Sequence, residues 1–354
     1  MKIRLYQKSD RLAWDQYIMT HPAGTIFHLS GWKRVVEQSF GHKAHYLLAE
    51  SSFSTATSKN PDSEAQILGV LPLFTIKSLF FVRSMVSLPF ASYGGILTND
   101  DVVRQVLYRE AVTFCKSTTL DYLEFRNEYN PLPELPVKDL YYGFKKEIFA
   151  DNDENLKAIP RKTRRMVRKG MNNSLKAVFG SAELLSQFYA LFASSYRGFG
   201  TPVFSKKHLE IILEEFGEKS NILIISKEGR PLTGVLSIYF KDQVIPYYSG
   251  AYPESREYGA NDYLYWVLMS DAADRGCRVF DFGRSKKDTG PFHFKRHWGF
   301  EPYPLHYQYY LNNIQKIPNT SPANPKYRGP IEIWKRLPLW MTKLLGPRIV
   351  KYIP

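Results

Sequence analysis

The sequence predicts an α/β protein in which one structural unit occurs twice. Three observations support this prediction: two halves with the same order of elements, a cation-rich segment between them, and a proline-rich segment after them. With 354 residues, the chain is long enough for two domains. A hydrophobic content of 44% favours well-packed globular structure over disorder.

Both halves read as strand, strand, helix, strand. The first comprises I-L-G-V-L-P-L-F (67–74), L-P-F-A-S-Y-G-G-I-L (88–97), a helical segment (101–117) and L-D-Y-L-E-F-R-N (120–127). The second comprises L-T-G-V-L-S-I-Y-F (232–240), I-P-Y-Y-S-G-A-Y (245–252), a helical segment (261–275) and R-V-F-D-F-G-R-S (278–285). A duplicated unit accounts for this order more simply than chance similarity does.

The segment between the halves, P-R-K-T-R-R-M-V-R-K-G (160–170), predicts a basic helix with Pro160 in its first turn. Met166 and Val167 are left to pack, whereas the cations form either a phosphate-binding face or a solvated one. The formal net charge of +14 favours attraction to polyanions in general: nucleic acid, anionic membrane or phosphorylated small molecules.

After about residue 312 the chain becomes proline-rich and then basic and amphipathic. We therefore expect an N-terminal domain over 1–150, a C-terminal domain over 151–312, and a linker with a tail over 313–354. The tail segment 331–354 either lies on an anionic membrane or docks on the main body. A loose loop is expected at 60–64.

Cysteine usage and the N-terminal residues predict a cytoplasmic protein, with peripheral contact at the inner membrane as an option. Cys115 and Cys277 have neither disulfide-framework nor metal-ligand spacing. The first residues lack the apolar run of a signal peptide. The apolar window Leu79–Leu97 is interrupted by Arg83 and Pro89, so it predicts paired strands instead of a membrane span.

The richest stretch for chemistry is D-F-G-R-S-K-K-D-T-G-P-F-H-F-K-R-H-W-G-F (281–300), a strand entering a glycine turn and then a short helix at 291–298. Asp281 at the strand end either accepts a proton or forms a salt bridge to Arg284 or a turn cap. His293 and His297 have metal-ligand spacing but no third ligand, so no metal is predicted.

Several motifs together resemble the FemAB-type transferases, and most closely the subgroup associated with exosortase and PEP-CTERM loci. They are F-H-L-S-G-W-K-R-V-V (27–36), G-V-L-P-L (69–73), L-P-F-A-S-Y-G-G (88–95), the basic segment (160–170), G-T-P-V-F (200–204) and the 281–300 stretch. The resemblance implies two tandem GNAT-like acyltransferase domains. Each is expected to be a mixed, mostly antiparallel sheet flanked by helices.

The resemblance also implies amide-bond formation on a cell-envelope, peptidoglycan or exopolysaccharide precursor, with either aminoacyl-tRNA or acyl-CoA as the donor. One alternative is an acyl-CoA-dependent N-acyltransferase acting on an amino sugar or small amine. A second is a non-catalytic module that binds the precursor. In the catalytic versions, an amine attacks a polarised carbonyl and the developing oxyanion needs stabilisation.

For the catalytic residues, the resemblance assigns donor handling and carbonyl activation to Phe294-Lys295, and contact with the acceptor to Arg197. Asp281 would assist proton removal, and Arg284 completes the catalytic candidates. The lysine that follows W-x-x-V in characterised members has no clear counterpart here, which disfavours a UDP-linked muropeptide acceptor. Further candidate substrate-binding residues are Trp32, Tyr93, Tyr248 and His293.

For the donor, R-E-Y-G-A-N-D-Y-L (256–264) resembles the GNAT loop that binds the CoA pyrophosphate at a helix N-terminus. Arg256 and Gly259 match that loop, whereas Asn261 stands where a second small residue belongs; an ordinary helix cap is the alternative. A tRNA acceptor stem would instead meet the basic helix, through Arg161, Arg164 and Arg165.

Overall fold

A computed structural model of the protein describes residues 1–51, 66–76, 82–318 and 327–353. The loop expected at 60–64 and the linker residues 319–326 lie outside the described residues. Within the described ranges, no helix combines the length and the apolar character that a membrane crossing requires.

The strands of the described residues are β1 (Lys2–Leu5), β2 (Lys43–Ala44), β3 (Leu47–Glu50), β4 (Ile67–Leu71), β5 (Leu73–Ile76), β6 (Ser84–Ser87), β7 (Tyr122–Asn127), β8 (Tyr141–Glu147), β9 (Lys176–Gly180), β10 (Ser220–Lys227), β11 (Arg230–Phe240), β12 (Gln243–Ala251), β13 (Val279–Lys286), β14 (Tyr303–Pro304) and β15 (His306–Leu311). The helices are α1 (Arg11–Thr20), α2 (Ser30–Phe40), α3 (Asp101–Ser117), α4 (Asn152–Ala158), α5 (Arg161–Asn172), α6 (Leu185–Phe199), α7 (Lys206–Phe216), α8 (Ala260–Asp274), α9 (Gly290–His297), α10 (Arg328–Arg336) and α11 (Leu339–Val350).

The chain divides into two compact units whose boundaries differ from the expected ones. The first unit combines Met1–Asp139 with Pro304–Pro318, and the second combines Leu140–Tyr303 with the tail. The divisions therefore fall after residues 139 and 303 instead of 150 and 312. The boundaries differ because two strands pair outside the domains expected for them. β8 pairs with β13 in the second unit, and β15 pairs with β7 in the first.

The first unit contains two sheets, with the strand orders β1-β3-β4 and β15-β7-β6-β5-β2. The strand expected at 88–97 is instead a loop, and β6 takes its place in the sheet. Leu88 and Phe90 adopt positive φ angles of 45° and 66°, and Gly94 reaches 154°, so the backbone cannot continue an extended ladder.

The second unit is built on one sheet with the order β14-β8-β13-β12-β11-β10-β9. Adjacent strands run antiparallel from β9 through β10 and β11 to β12, whereas β12 and β13 run parallel to each other. Helix α8 covers the sheet with buried residues that include Leu264, Leu268 and Ala272. The helices expected at 160–170, 261–275 and 291–298 correspond to α5, α8 and α9, so these three expectations are confirmed.

The tail docks on the second unit, which is one of the two options that the sequence leaves open. Thr342, Gly346 and Val350 form the buried side of α11. A Cβ added at Gly346 would lie 2.7 Å from the backbone oxygen of Val203, and one added at Gly200 would meet Ile331. Small residues therefore allow α10 and α11 to approach the segment around the end of α6 closely.

Candidate active site

Helix α9 presents two different faces. Thr289 precedes it as the N-cap and Pro291 lies in the first turn, where the missing N–H group costs no hydrogen bond. Phe292 and Lys295, three residues apart, are buried, whereas His293 is exposed. The buried face of α9 therefore directs the side chain of Lys295 towards β13.

Lys295 is held by the backbone at a bulge of β13. Its Nζ donates to the carbonyl oxygens of Phe282 (2.7 Å), Gly283 (3.3 Å) and Arg284 (2.9 Å). The bulge arises where the pairing of β13 with β8 shifts register between Asp281 and Arg284. Burial lowers the pKa of Lys295 to about 7, while Asp281 acts in the opposite direction. Lys295 therefore titrates near neutral pH.

Asp281 does not face a cleft, contrary to the role expected for it in proton removal. Its side chain is 0% exposed, and Oδ1 accepts a hydrogen bond from the backbone N–H of Gly283 at 2.7 Å. Oδ2 lies 3.7 Å from Nζ of Lys145 on β8. Asp281 therefore caps the turn, as one sequence alternative proposed, and Lys145 is one of its charge partners. Lys145 could not be recognised from the sequence because it comes from a distant strand.

Arg284 belongs to a cluster of tyrosines in the second unit. Its guanidinium lies 5.0 Å from the ring centre of Tyr141. Its charge also acts to lower the pKa of Tyr196 and Tyr248, although burial raises both values overall. Tyr248 Oη donates to Oη of Tyr247 at 3.3 Å. These rings combine apolar surface with polar ends, a composition suited to a sugar or peptide.

His208 is a member of this cluster that the sequence analysis missed. It is completely buried on α7, and its Nε2 lies 3.2 Å from Oη of Tyr248. Burial lowers the pKa of His208 to about 3, so the imidazole is neutral at physiological pH. Its position on the apolar side of α7, beside Leu209 and Ile212, is the signal that could have indicated it.

Phe294 contributes to the packing beneath the site. Its ring lies 5.5 Å from that of Tyr265 and 6.3 Å from that of Trp298. His293 is exposed and contacts the ring of Phe292 edge-on, so it lies on the opposite face of α9 from Lys295. The structure thus brings Phe294 near the lysine's strand but keeps His293 away from it.

The parallel strands β12 and β13 separate beside the bulge that holds Lys295. They pair at Gln243–Val279 and Val244–Phe280, and both strands continue beyond the end of that ladder. Tyr265 of α8 spans the two strands, because its ring packs edge-on against Phe282 and its hydroxyl donates to Oγ of Ser249. Backbone groups beyond the end of this ladder need other hydrogen-bond partners. On β13, the amine of Lys295 is the donor to the backbone carbonyl groups.

In the first unit, a backbone segment fills the position that corresponds to the Lys295 site. The strands β6 and β7 also run parallel, but Gly94 of the 88–97 loop donates to the carbonyl of Arg126 at 2.8 Å. Residues 128–139 follow β7, and the structure describes no helix there that would correspond to α9. The lysine and its bulge are therefore particular to the second unit.

Trp32 and Tyr93 lie in the core of the first unit. Their side chains are 0% and 1% exposed, and both rings pack edge-on against Phe27. Tyr93 lies in the 88–97 loop, whereas Tyr248 lies within β12, so the two tyrosines do not occupy equivalent positions. Trp32 therefore offers no surface to a substrate, and its conformation is explained by packing.

The start of α8 is shaped by contact with α5. Gly259 is the N-cap with a φ of 67°, and an added Cβ would lie 2.7 Å from the backbone oxygen of Met166. Oδ1 of Asn261 accepts a hydrogen bond from Thr233 at 3.0 Å, and Arg256 is exposed. Helix–helix approach therefore explains Gly259, which is the N-cap of α8, whereas Asn261 lies inside the helix and does not cap it.

Helix α5 exposes cations that lack acidic partners. Its buried side consists of Thr163, Val167 and Gly170, and the Thr163 hydroxyl donates to the carbonyl of His297 at 2.6 Å. Nη1 of Arg164 donates to the carbonyl of Lys157. In the described part of the chain, the charged groups of the exposed cations make no hydrogen bond or ion pair; these cations are Arg161, Lys162, Arg165, Arg168 and Lys169. A polyanion can therefore bind this face without breaking existing ion pairs.

Arg197 ends α6 beside Tyr196 and is half-buried. Its guanidinium makes no hydrogen bond or ion pair with any residue that the structure describes. A partly buried cation without a partner is an anion-binding candidate, because a ligand would supply the missing acceptors.

Residues 158–296 match the acetyltransferase (GNAT) domain family. No curated protein matches the chain. Among solved structures, FemX is similar with a TM-score of 0.65 and 14% identity, covering 88% of this chain and 98% of that one. A tandem GNAT protein from the clavulanic acid biosynthesis pathway has a TM-score of 0.52 and 10% identity, covering 89% and 99%.

The C-terminal domain of a putative lysylphosphatidylglycerol synthetase from Agrobacterium fabrum is also similar. It has a TM-score of 0.54 and 11% identity, and the match covers 86% of this chain and 92% of that one. At these identities the three likenesses establish the fold. Together with the domain match, they show a mixed α/β chain with a tandem GNAT-like fold. The acetyltransferase domain over residues 158–296 is the finding that indicates acyltransferase activity.

Proposed function

We propose that the protein forms an amide bond on a cell-envelope or exopolysaccharide precursor, with aminoacyl-tRNA as the donor. The observation that carries the choice of donor is the row of exposed cations on α5 that have no acidic partner. The bond from Thr163 to the carbonyl of His297 fixes α5 to the end of α9, the helix that carries Lys295. Phosphate contacts on α5 would thus hold an RNA beside the lysine's helix.

In this proposal, Lys295 in its protonated form polarises the donor carbonyl as the acceptor amine attacks. The amine nitrogen forms the new bond to the carbonyl carbon, and the ester C–O bond to the tRNA ribose breaks. The amine's proton passes through solvent to the departing ribose oxygen, which leaves as a hydroxyl group. The 3.3 Å contact with Gly283 is the longest of the three that Nζ makes, so a substrate oxygen can replace it at the lowest cost.

The acceptor would bind through Arg197 and the tyrosine cluster. Arg197 lacks a partner within the described residues and would bind a phosphate or carboxylate. The half-buried Tyr247 would contact a sugar or peptide part, and the buried Tyr248, predicted as a binding residue, would orient it through the 3.3 Å hydrogen bond between their hydroxyls. Replacing Arg197 with alanine should therefore raise the KM for the acceptor and leave kcat nearly unchanged.

Acyl-CoA is the second candidate donor, because residues 158–296 match an acetyltransferase domain. The geometry at α8 argues against it. The space at Gly259 is taken by α5, and Asn261 is bound to Thr233 where a GNAT loop has a small residue. Calorimetric titration with CoA tests this directly, since tight CoA binding together with absence of tRNA binding would replace the first candidate by the second.

Charge reversal on α5 tests the choice of donor. We expect Arg161→Glu with Arg165→Glu to weaken tRNA binding at least about tenfold and to reduce the salt slope of log K by roughly 2. The matched control is Arg109→Glu with Lys116→Glu, which reverses two exposed cations of α3 in the first unit. Equal losses in both double variants would argue for general electrostatic attraction and against a site on α5.

The acceptor is best identified in cells. Mass spectrometry of envelope and exopolysaccharide precursors from a deletion strain should reveal a precursor that lacks one aminoacyl or acyl group. The missing mass names the transferred group and so separates an amino acid from an acyl chain. Precursor masses identical to those of the wild type would contradict the proposed reaction.

A further inference from the structure

Helices α10 and α11 bury one side against the second unit and turn the other side to solvent. At about 100° per residue, Trp340 and Leu344 fall on the side of α11 opposite the buried Thr342 and Gly346. Trp340 is 67% exposed and Leu344 is 54% exposed. On α10, Ile333 is 65% exposed. Three large apolar side chains are thus left uncovered on consecutive helices.

Cations lie along the same two helices: Lys335, Arg336, Lys343, Arg348 and Lys351. Lys335 is paired with Glu332 at 2.8 Å, and Nζ of Lys343 lies 5.4 Å from the ring centre of Tyr189 on α6. Arg336 and Arg348 are exposed, and α11 contains no acidic residue. The outward side of the tail therefore combines apolar anchors with a net positive charge.

We propose that the outward side of α10–α11 binds the surface of an anionic lipid bilayer while the inner side stays docked on α6. Trp340, Leu344 and Ile333 would enter the boundary between headgroups and acyl chains, and the cations would contact lipid phosphates. Nucleic acid would engage the cations but leave the apolar side chains in water, whereas a bilayer satisfies both. The helices would lie on the membrane, because neither is long enough to cross it.

Docking on the protein body is compatible with this role. The buried side chains of α11, Thr342 and Val350, are different from those that would meet lipid. The tail can therefore hold the acyltransferase units at a bilayer without first unfolding from them. This surface does not depend on the identity of the donor, so it can be tested separately from the proposed reaction.

Sedimentation with vesicles tests the proposal on the full-length protein. We expect binding to vesicles of phosphatidylcholine with about 30% phosphatidylglycerol and much weaker binding to phosphatidylcholine alone. Raising NaCl to about 0.5 M should reduce the bound fraction severalfold, because the Debye length shortens. Equal binding to both vesicle types, or no binding to either, would overturn the proposal.

Two double variants separate the apolar and charged contributions. Trp340→Ser with Leu344→Ser should lower vesicle affinity about tenfold or more. Arg336→Glu with Arg348→Glu, which reverses two exposed cations, should remove the preference for anionic lipid. The matched control is Leu12→Ser, because Leu12 is 84% exposed on α1 and is not part of the tail.

The serine variants remove exposed side chains, so their melting temperature should stay within about 2 °C of the wild-type value. Unchanged vesicle binding in Trp340→Ser/Leu344→Ser would overturn the proposal. A shift from oligomer to monomer in that variant, measured by light scattering, would also overturn it, because it would assign the surface to a second copy of the chain.

Discussion

At the scale of single residues, the site is governed by how buried charges are balanced. Lys295 inserts an amine among three carbonyl oxygens, and Asp281 accepts a hydrogen bond from the backbone N–H of Gly283 in the same bulge. Lys295 thus supplies hydrogen-bond donors, and Asp281 supplies an acceptor, to a turn where the regular pairing of β13 with β8 is interrupted. The two residues together fix the strand end at which Arg284 and the tyrosines meet.

Substitutions of Asp281 distinguish a turn cap from a catalytic base. Asp281→Asn retains an oxygen that can accept from Gly283, so we expect activity within about tenfold of wild type. Asp281→Ala leaves that N–H without a partner and should lower the free energy of unfolding by about 1–3 kcal/mol. Steady-state kinetics and urea denaturation measure both effects. Loss of all activity in a folded Asp281→Asn variant would instead favour the base.

The low pKa of Lys295 predicts a pH dependence of stability with a defined sign. In the folded protein this amine loses its proton near pH 7, whereas an unfolded lysine keeps it up to about 10.4. Between these values the unfolded state binds more protons, so the contribution of Lys295 to the free energy of unfolding rises with pH.

Urea denaturation at several pH values should therefore show a smaller rise from pH 6.5 to pH 9 in Lys295→Met than in wild type. Activity should move in the opposite direction: if the ammonium polarises the carbonyl, turnover falls as pH rises through about 7. Turnover that still rises through this range, after correction for ionisation of the acceptor amine, would contradict the role of the ammonium. Parallel stability curves for the two proteins would contradict the low pKa.

At the scale of elements, the contact between α5 and α8 positions the basic face. Gly170 faces Tyr263, since a Cβ there would lie 2.4 Å from Cβ of the tyrosine, and Gly259 faces the backbone of Met166. Nδ2 of Asn173 donates to the carbonyl of Tyr258 at the same junction. Glycines on both partners thus bring the helices together, and the cations are left on the outer side of α5.

Two glycines with similar backbone angles test this contact. Gly259 and Gly276 have φ angles of 67° and 81°, but an added Cβ at Gly276 would meet nothing within 4 Å. Gly276→Ala should therefore cost about 1 kcal/mol of backbone strain. Gly259→Ala should cost roughly 1–3 kcal/mol more, because α5 must also move. Chemical denaturation compares them, and equal losses would show that α5 does not constrain Gly259.

At the scale of the whole molecule, the two units differ at corresponding strand ends. In the first, the 88–97 loop lies beside β7, which itself carries the buried pair of Glu124 and Arg126, 2.7 Å apart. In the second, α9 and Lys295 occupy the corresponding strand end. The tail adds a further layer to the second unit by docking beside α6.

Docking of the tail predicts resistance to proteolysis. Gly346→Val would drive a branched side chain into the backbone of Val203, so we expect trypsin to cut within 327–353 about tenfold faster. Gly329→Val is the matched control, because an added Cβ at that position meets nothing within 4 Å. Gel electrophoresis over a time course measures the cleavage. Identical rates for wild type and Gly346→Val would contradict a docked tail.

Much of the fold was predictable because it rests on local patterns. Helix α5 follows from its cations and Pro160, and α9 follows from the turn before it. The interpretations of Trp32, Tyr93 and Asp281 needed the structure, because burial of a side chain depends on partners far away in sequence. The same holds for His208, whose contact with Tyr248 joins residues 40 positions apart.

The sequence by itself determined the duplicated α/β unit, the basic helix and the short helix that carries Phe294 and Lys295. Each depends on periodicity, charge or turn residues within a short window. Only the tertiary structure decided that β8 and β15 complete the sheets of the opposite sequence halves, that Asp281 caps a turn, and that Lys295 is held by carbonyls. Strand pairing and burial are long-range properties, and no local sequence pattern specifies which distant strand will pair with a given strand.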